Sequence, residues 1–232
     1  MYEKYFKRVL DFCLSTIALL VLSPILLVLL IVGAIMMRGN PIFVQPRPGK
    51  KGRDGKESIF YLLKLRSMSN RRGEDGELLP DAQRMGKYGA FLRSTSADEL
   101  PSLINILIGD MALVGPRPQL VRDMTFMSEE QRRRHTVRPG LTGLAQVNGR
   151  NNITWEQKLA YDLTYIDNGI TFCGDLKILL QTVGKVLKRS DTVREGTVSD
   201  VDFGDWLLQN GEIDRAQYEK KQAEAKELLR LS

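Results

Sequence analysis

Histidine is almost missing from this chain: His135 is the only one in 232 residues. A triad centred on histidine, or a metal site built mainly from imidazoles, has little to draw on. Cysteine is nearly as scarce. Cys13 lies inside an apolar run and Cys173 stands far from it, so no disulfide framework holds the fold. Zinc, homeodomain and RNA-binding signatures are lacking, which argues against nucleic acid as the partner. No internal repeat is present. What the chain does have is 43% hydrophobic and 27% charged residues, the balance of an ordered protein. Its length suits one sizeable domain with an appendage. The net charge of +6 is uneven. Residues 38–93 hold 13 Lys/Arg against 6 Asp/Glu, and residues 191–232 hold 6 against 10. A basic stretch behind an apolar segment points to anionic partners, either lipid headgroups or phosphorylated substrates.

Phe12 to Met37 is 26 residues without a formal charge, long enough to span a bilayer. The run is too long for a cleaved signal peptide and no small-x-small site closes it. Ser23-Pro24 lies at its centre. Pro24 cannot donate to the Leu20 carbonyl, so a kink or break is expected there, with the Ser23 hydroxyl satisfying a freed backbone group. Lys4, Lys7 and Arg8 precede the run, and Arg38, Arg47, Lys50, Lys51 and Arg53 follow it. Two basic flanks fit a helix–break–helix hairpin over residues 1–40 that keeps both ends cytoplasmic; a spanning helix with a tolerated proline is the other reading.

After this segment, Pro41–Pro46 and Ile59–Leu65 read as short strands joined by a Gly/Lys-rich turn. Residues 67–82 read as a polar loop. Helices are expected over Asp98–Ile108, ended by Gly109, over Thr154–Asp167 with Thr154 as N-cap, and over Cys173–Lys188. The last of these carries Leu176, Leu179, Leu180, Val183 and Leu187 on one face, suited to the core or to a membrane interface. Asp202 onward reads as two short amphipathic helices split by Asn210-Gly211. The fold class is therefore α/β, mainly helical with short strands.

The densest chemistry lies between Phe91 and Pro118. Asp98-Glu99 before Pro101 has the form of a helix start, and Ser96 with Glu99 matches a capping box. The neighbours allow another reading. Lys64, Arg93 and Arg117 are cations, and cations beside adjacent carboxylates are suited to a diphosphate. Carboxylates can hold Mg²⁺ through oxygen, arginine grips phosphate in a bidentate manner, and a carboxylate can attack phosphorus. Pro116 and Pro118 stiffen the backbone around Arg117.

These stretches resemble the bacterial sugar transferase family, the monotopic polyprenyl-phosphate phosphoglycosyl transferases. The resemblance rests on Ser23-Pro24, Lys64-Leu-Arg-Ser-Met68, Leu92-Arg93 through Asp98-Glu-Leu-Pro101, Gly109-Asp-Met111 and Val114-Gly-Pro-Arg-Pro118. It continues through Arg138-Pro-Gly-Leu-Thr-Gly-Leu-Ala-Gln146 and Asp175-Leu-Lys-Ile178, covering roughly residues 1–190 in order. It implies a re-entrant hairpin at Ser23-Pro24, a catalytic core over 41–190 and an extension over 191–232 outside the shared part. Asp98 would be the nucleophile, with Glu99 assisting the metal and the acceptor. Arg93 would grip a phosphate, Lys64 would sit by the dyad and Arg117 would bind the nucleotide end. Arg138, Gln146 and Asp175 would line the site. The implied substrates are a UDP-sugar and a polyprenyl (undecaprenyl) phosphate, with Mg²⁺ as cofactor, at the cytoplasmic face of the bacterial inner membrane. Asp98 would carry the sugar phosphate between two half-reactions; attack by the lipid without that intermediate, and a membrane-tethered scaffold without enzymatic activity, are the alternatives. A homodimer through the tail or the 173–188 helix is compatible with these residues.

Overall fold

The computed structural model describes residues 1–149, 153–188 and 201–231. A π-helical turn, Tyr2–Phe6, leads into α1, Lys7–Met37. This helix runs through Ser23-Pro24 without ending, so the expected separation into two helices is corrected. The reason is local. The Leu20 carbonyl that Pro24 cannot serve accepts instead from the Ser23 hydroxyl at 2.8 Å, which lets the helix carry on.

α1 is apolar enough to enter a membrane, yet it holds to the rest of the chain along its length. Lys7 Nζ donates to buried Asp175 Oδ2 at 2.5 Å, and Asp11 Oδ1 accepts from Leu113 N at 3.1 Å. Ala18, Leu19 and Leu22 pack on a core cluster of Phe60, Leu62, Leu103, Ile106 and Met111. Near the far end, Tyr88 Oη donates to Leu29 O at 2.7 Å. A Cβ at Gly33 would stand 2.9 Å from that same Tyr88 oxygen, so glycine permits the close approach.

Strands β1 (Ile42–Lys51) and β2 (Glu57–Leu65) form an antiparallel hairpin. β1 continues past Pro46, where the sequence reading stopped it. A two-stranded ribbon has a free edge on each strand, so a missing N–H on the outer side breaks no ladder bond. Two helices follow, α2 (Asp81–Arg84) and α3 (Lys87–Thr95). A 3₁₀ turn at Ala97–Glu99 then precedes α4 (Ser102–Ile108), which Gly109 ends at φ 102°. The capping box expected of Ser96 and Glu99 does not form, because Ser96 takes a left-handed φ of 57° to link α3 to the turn.

β3 (Ala112–Val114) pairs in parallel with β4 (Gly140–Thr142); α5 (Val121–Phe126) and a 3₁₀ stretch, Gln131–Thr136, lie between them. After α6 (Leu144–Val147) come α7 (Trp155–Asp167) and α8 (Phe172–Lys188). Thr154 caps α7 in a box with Gln157, as expected. On α8, Asp175 and Ile178 face inward, whereas Leu176, Leu180 and Val183 are exposed. The extension forms α9 (Phe203–Gln209) and a longer α10 (Arg215–Leu231), which pack on α5 and on each other. The expected boundary at residue 191 lies outside the described residues. The tail is no free appendage, since Phe203 is buried with Met127, Trp155 and Leu159.

Candidate active site

α4 is docked on β2 by side chains that take the place of a third strand. Asn105 Oδ1 accepts from Leu63 N, Asn105 Nδ2 donates to Tyr61 O, both at 2.9 Å, and Ser102 Oγ donates to Leu63 O at 2.8 Å. Each bond is worth about 1 kcal/mol net, but a buried strand edge left bare would cost more. The docking sets the turn Ala97–Glu99 over the end of β2, where Lys64 emerges. Lys64 Nζ donates to Glu99 Oε1 at 2.8 Å.

Arg117 reaches the same oxygen at 2.8 Å from the loop after β3. Glycine is required on both sides of that loop. A Cβ at Gly140 would stand 2.1 Å from Gly115 N, and one at Gly115 would stand 2.5 Å from Arg138 O. The loop is held from below by Arg134, which donates to Arg117 O at 2.6 Å and to Asp162 Oδ2 at 2.6 and 3.0 Å. It is held from β1 by Arg47, which donates to Pro118 O at 3.1 Å.

These groups open onto a cavity of about 390 Å³, in the size range of a small-molecule site. Lys64, Arg93, Asp98, Glu99, Arg117 and Gln146 all line it. Arg93 Nε donates to Ser67 Oγ at 3.1 Å, which orients it there. Arg138 and Asp175 are not among the lining residues. Arg138 Nε donates to Gly109 O at the end of α4, and Asp175 binds Lys7, Tyr2 and Tyr165 in the anchor of α1. Both support the architecture, not the cavity wall.

Burial is the largest influence on both carboxyls of the dyad, and it opposes their ionisation. For Glu99, Arg117 and Lys64 outweigh it and hold the carboxyl far below the ordinary range. For Asp98, burial and the charge of Glu99 prevail over Lys64, Arg117 and Arg93, and its proton affinity rises. Neighbours in the chain thus differ in character: Glu99 is a fixed anion, and Asp98 a basic carboxylate suited to attack an electrophile. Lys64 is itself pushed down by burial, against the pull of Glu99.

The lining also holds Arg47, Arg66, Trp155 and Asp162, which the sequence does not mark as site residues. Arg47 and Arg66 each keep a buried Nε without an acceptor, and burial lowers Arg47 to about 10. At the other end, Asp162 Oδ1 and Gln146 Oε1 are buried acceptors without a donor. Arg66 lies in the Lys64–Met68 stretch that carried the resemblance. Asp162 and Trp155 had no comparable signal, since a helical carboxylate and a helical aromatic are ordinary core residues.

Among the described residues no three acidic, histidine or cysteine side chains gather as a metal cage. Mg²⁺ needs no such cage, because it takes one or two carboxylates and completes its shell with water and phosphate oxygens. Both cations occupy Oε1 of Glu99, which leaves its second oxygen and Asp98 as a donor set of that kind.

The fold thus gathers a carboxylate pair under convergent cations in a cavity beside a long apolar helix. Residues 2–189 match the bacterial sugar transferase family, and the chain belongs to it. It is 46% identical over 182 residues to the uncharacterized sugar transferase EpsL of Bacillus subtilis, covering 78% of this chain and 87% of that one. It is 39% identical to a UDP-glucose:undecaprenyl-phosphate glucose-1-phosphate transferase of Caulobacter vibrioides, covering 78% and 69%. A protein of the same description from Klebsiella pneumoniae is 40% identical, and there the match spans 78% of this chain but 40% of the relative.

Proposed function

We propose that this chain transfers a sugar 1-phosphate from a UDP-sugar to polyprenyl phosphate and releases UMP. One observation carries the reading: Asp98 lines a cavity in which Arg47 and Arg66 keep buried N–H groups that no acceptor serves. Such donors are costly unless an anion completes them, and a diphosphate would do so. The descriptions of the Caulobacter and Klebsiella relatives agree with this substrate class.

In the first half-reaction an Asp98 oxygen attacks the phosphorus that bears the sugar, and the anhydride bond to UMP breaks with its electron pair on UMP. In the second, an oxygen of the lipid phosphate attacks that phosphorus and the bond to Asp98 breaks, restoring the carboxylate. Arg47, Arg66, Arg93 and Arg117 hold the phosphate oxygens, and Lys64 keeps Glu99 in place. Mg²⁺ at Asp98 and Glu99 would neutralise charge on the diphosphate when bound.

We further propose that α1 enters one leaflet of the inner membrane and does not cross it, keeping the cavity at the cytoplasmic face. The support is that Lys7 and Leu29 are both bonded to one folded domain, by Asp175 and Tyr88. Exposed Phe91, Ile108 and Leu180 lie on α3, α4 and α8, which all touch α1 and would rest at the same interface.

The test is UMP release from a panel of UDP-sugars by the purified protein in detergent with Mg²⁺ and lipid acceptor. Activity with one or more sugars is expected, and about one UMP per enzyme without lipid. No release from any sugar refutes the transferase. Release only with lipid present refutes the intermediate and favours direct attack. Impermeant labelling of both termini in intact cells tests the topology; one reactive end refutes the re-entrant helix.

A further inference from the structure

The cavity has two ends of opposite hydrogen-bonding character. Around the dyad the unsatisfied groups are donors, Arg47 Nε and Arg66 Nε. Toward α7 the lining residues leave acceptors unserved, Asp162 Oδ1 and Gln146 Oε1, on residues only 2% and 8% exposed; the unserved donor behind them, Arg134 Nη1, is not part of the lining. Asp162 cannot turn away, since its other oxygen is held by Arg134. Lys158, the cation lining this end, lies 5.1 Å from the centre of the Trp155 ring and offsets the charge of Asp162. A phosphate has nothing to offer the two acceptors, so this second end suits a neutral group rich in hydroxyl or amide N–H.

Part of this end comes from outside the family match. Val201 and Asp202 line the cavity and lie beyond residue 189. They are fastened there by several bonds. Trp155 Nε1 donates to Val201 O at 2.9 Å, Phe203 N donates to Asp123 Oδ1 at 2.9 Å, Thr125 Oγ1 donates to Lys221 O at 3.2 Å, and Asp202 pairs with Arg122.

We infer that this end is the glycosyl subsite, with Asp162 and Gln146 accepting from the sugar, and that the C-terminal extension determines which sugar fits. The inference rests on the proposed transferase reaction. In that reaction UMP leaves and the lipid phosphate takes its place, so that region must open toward α1. The sugar stays bound through both steps and needs a wall that lipid does not enter. The dyad end is flanked by α3, which touches α1 through Tyr88, whereas α7 and the extension line the far end. A site that hydrogen-bonds a substrate hydroxyl discriminates strongly against an epimer that misplaces it.

The chain has two tryptophans, Trp155 and Trp206, and both belong to the cluster around Phe203. Their fluorescence therefore reports on this end without turnover. In the full-length protein, saturating UDP-sugars should change it and UDP or UMP should leave it within noise. An equal change with UDP places the nucleoside here and overturns the inference. Asp202→Asn removes the charge that pairs with Arg122 while keeping the size of the side chain, and Val201→Phe narrows the wall without altering a residue of the shared core. Each should alter the kcat/KM ratio between glucose, galactose and N-acetylated donors by tenfold or more, with inhibition by UDP changed less than twofold. Ratios that stay fixed in both variants, with melting temperatures preserved, make the extension a brace only and overturn the inference. Wild type that releases no UMP refutes the transferase instead, and the fluorescence comparison still decides the subsite.

Discussion

Lys64 and Glu99 form a 2.8 Å ion pair that joins the end of strand β2 to the turn before α4, with Arg117 closing on the same oxygen. Two cations thus secure one carboxyl of the dyad, and its neighbour Asp98 keeps a raised proton affinity under burial and like charge. Stability and reactivity are divided between adjacent residues, which makes their substitutions separable.

Asp98→Asn should abolish UMP release and any phosphosugar adduct, a loss of at least about 10³-fold. Because the ionised Asp98 opposes folding at neutral pH, the amide should leave the melting temperature unchanged or raise it. Mass spectrometry and a thermal melt check both halves; measurable turnover in a folded variant removes Asp98 as nucleophile.

Glu99→Gln should behave in the opposite way. It strands Lys64 and Arg117 against each other, so stability should fall by about 2 kcal/mol along with activity. Denaturant unfolding measures it, and an unchanged midpoint would contradict the bracing role.

The Arg134–Asp162 pair is almost fully buried, at 1% and 2% side-chain exposure. Asp162→Ala leaves an uncompensated guanidinium in the core and should cost about 3–5 kcal/mol. It should also loosen the backbone of Arg117, which Arg134 holds. Replacing both partners by apolar residues should recover much of the stability and none of the loop order, seen as hydrogen exchange at the Gly115 and Arg117 amides.

His135 is pushed down to about 4, by burial first and despite its contact with Glu57. The folded chain leaves it neutral at pH 5, whereas the unfolded chain protonates it below its ordinary value of 6.5. Stability should therefore fall as pH drops from 7 to 5, by about 2 kcal/mol from this group. His135→Gln should flatten that slope in urea titrations at the two pH values.

Ser23→Ala removes the hydroxyl that serves the Leu20 carbonyl. An unsatisfied carbonyl in an apolar setting should cost about 1–3 kcal/mol in detergent unfolding. Adding Pro24→Ala restores a backbone N–H for that carbonyl, so the double variant should melt above the single one.

Much of the site was legible in the sequence because it is local. Asp98-Glu99, Gly115-Pro-Arg-Pro118 and the basic Lys64 stretch each fix their own backbone or charge, and the cavity gathers them. The apolar run and its proline were equally plain, since composition and a missing N–H need no tertiary context. The bond from the Ser23 hydroxyl to the freed Leu20 carbonyl follows from local chemistry, whereas the continuity of the helix through Pro24 does not. Arg138 and Asp175 show a different limit. Both lie in the family pattern, but the pattern does not separate residues that line a cavity from residues that anchor its walls. Tertiary structure alone put Asp162, Trp155 and the extension into the same cavity as the dyad, and brought Gly115 against Gly140. Those relations span tens of residues and arise from packing and backbone closeness, and no spacing rule along the chain encodes them.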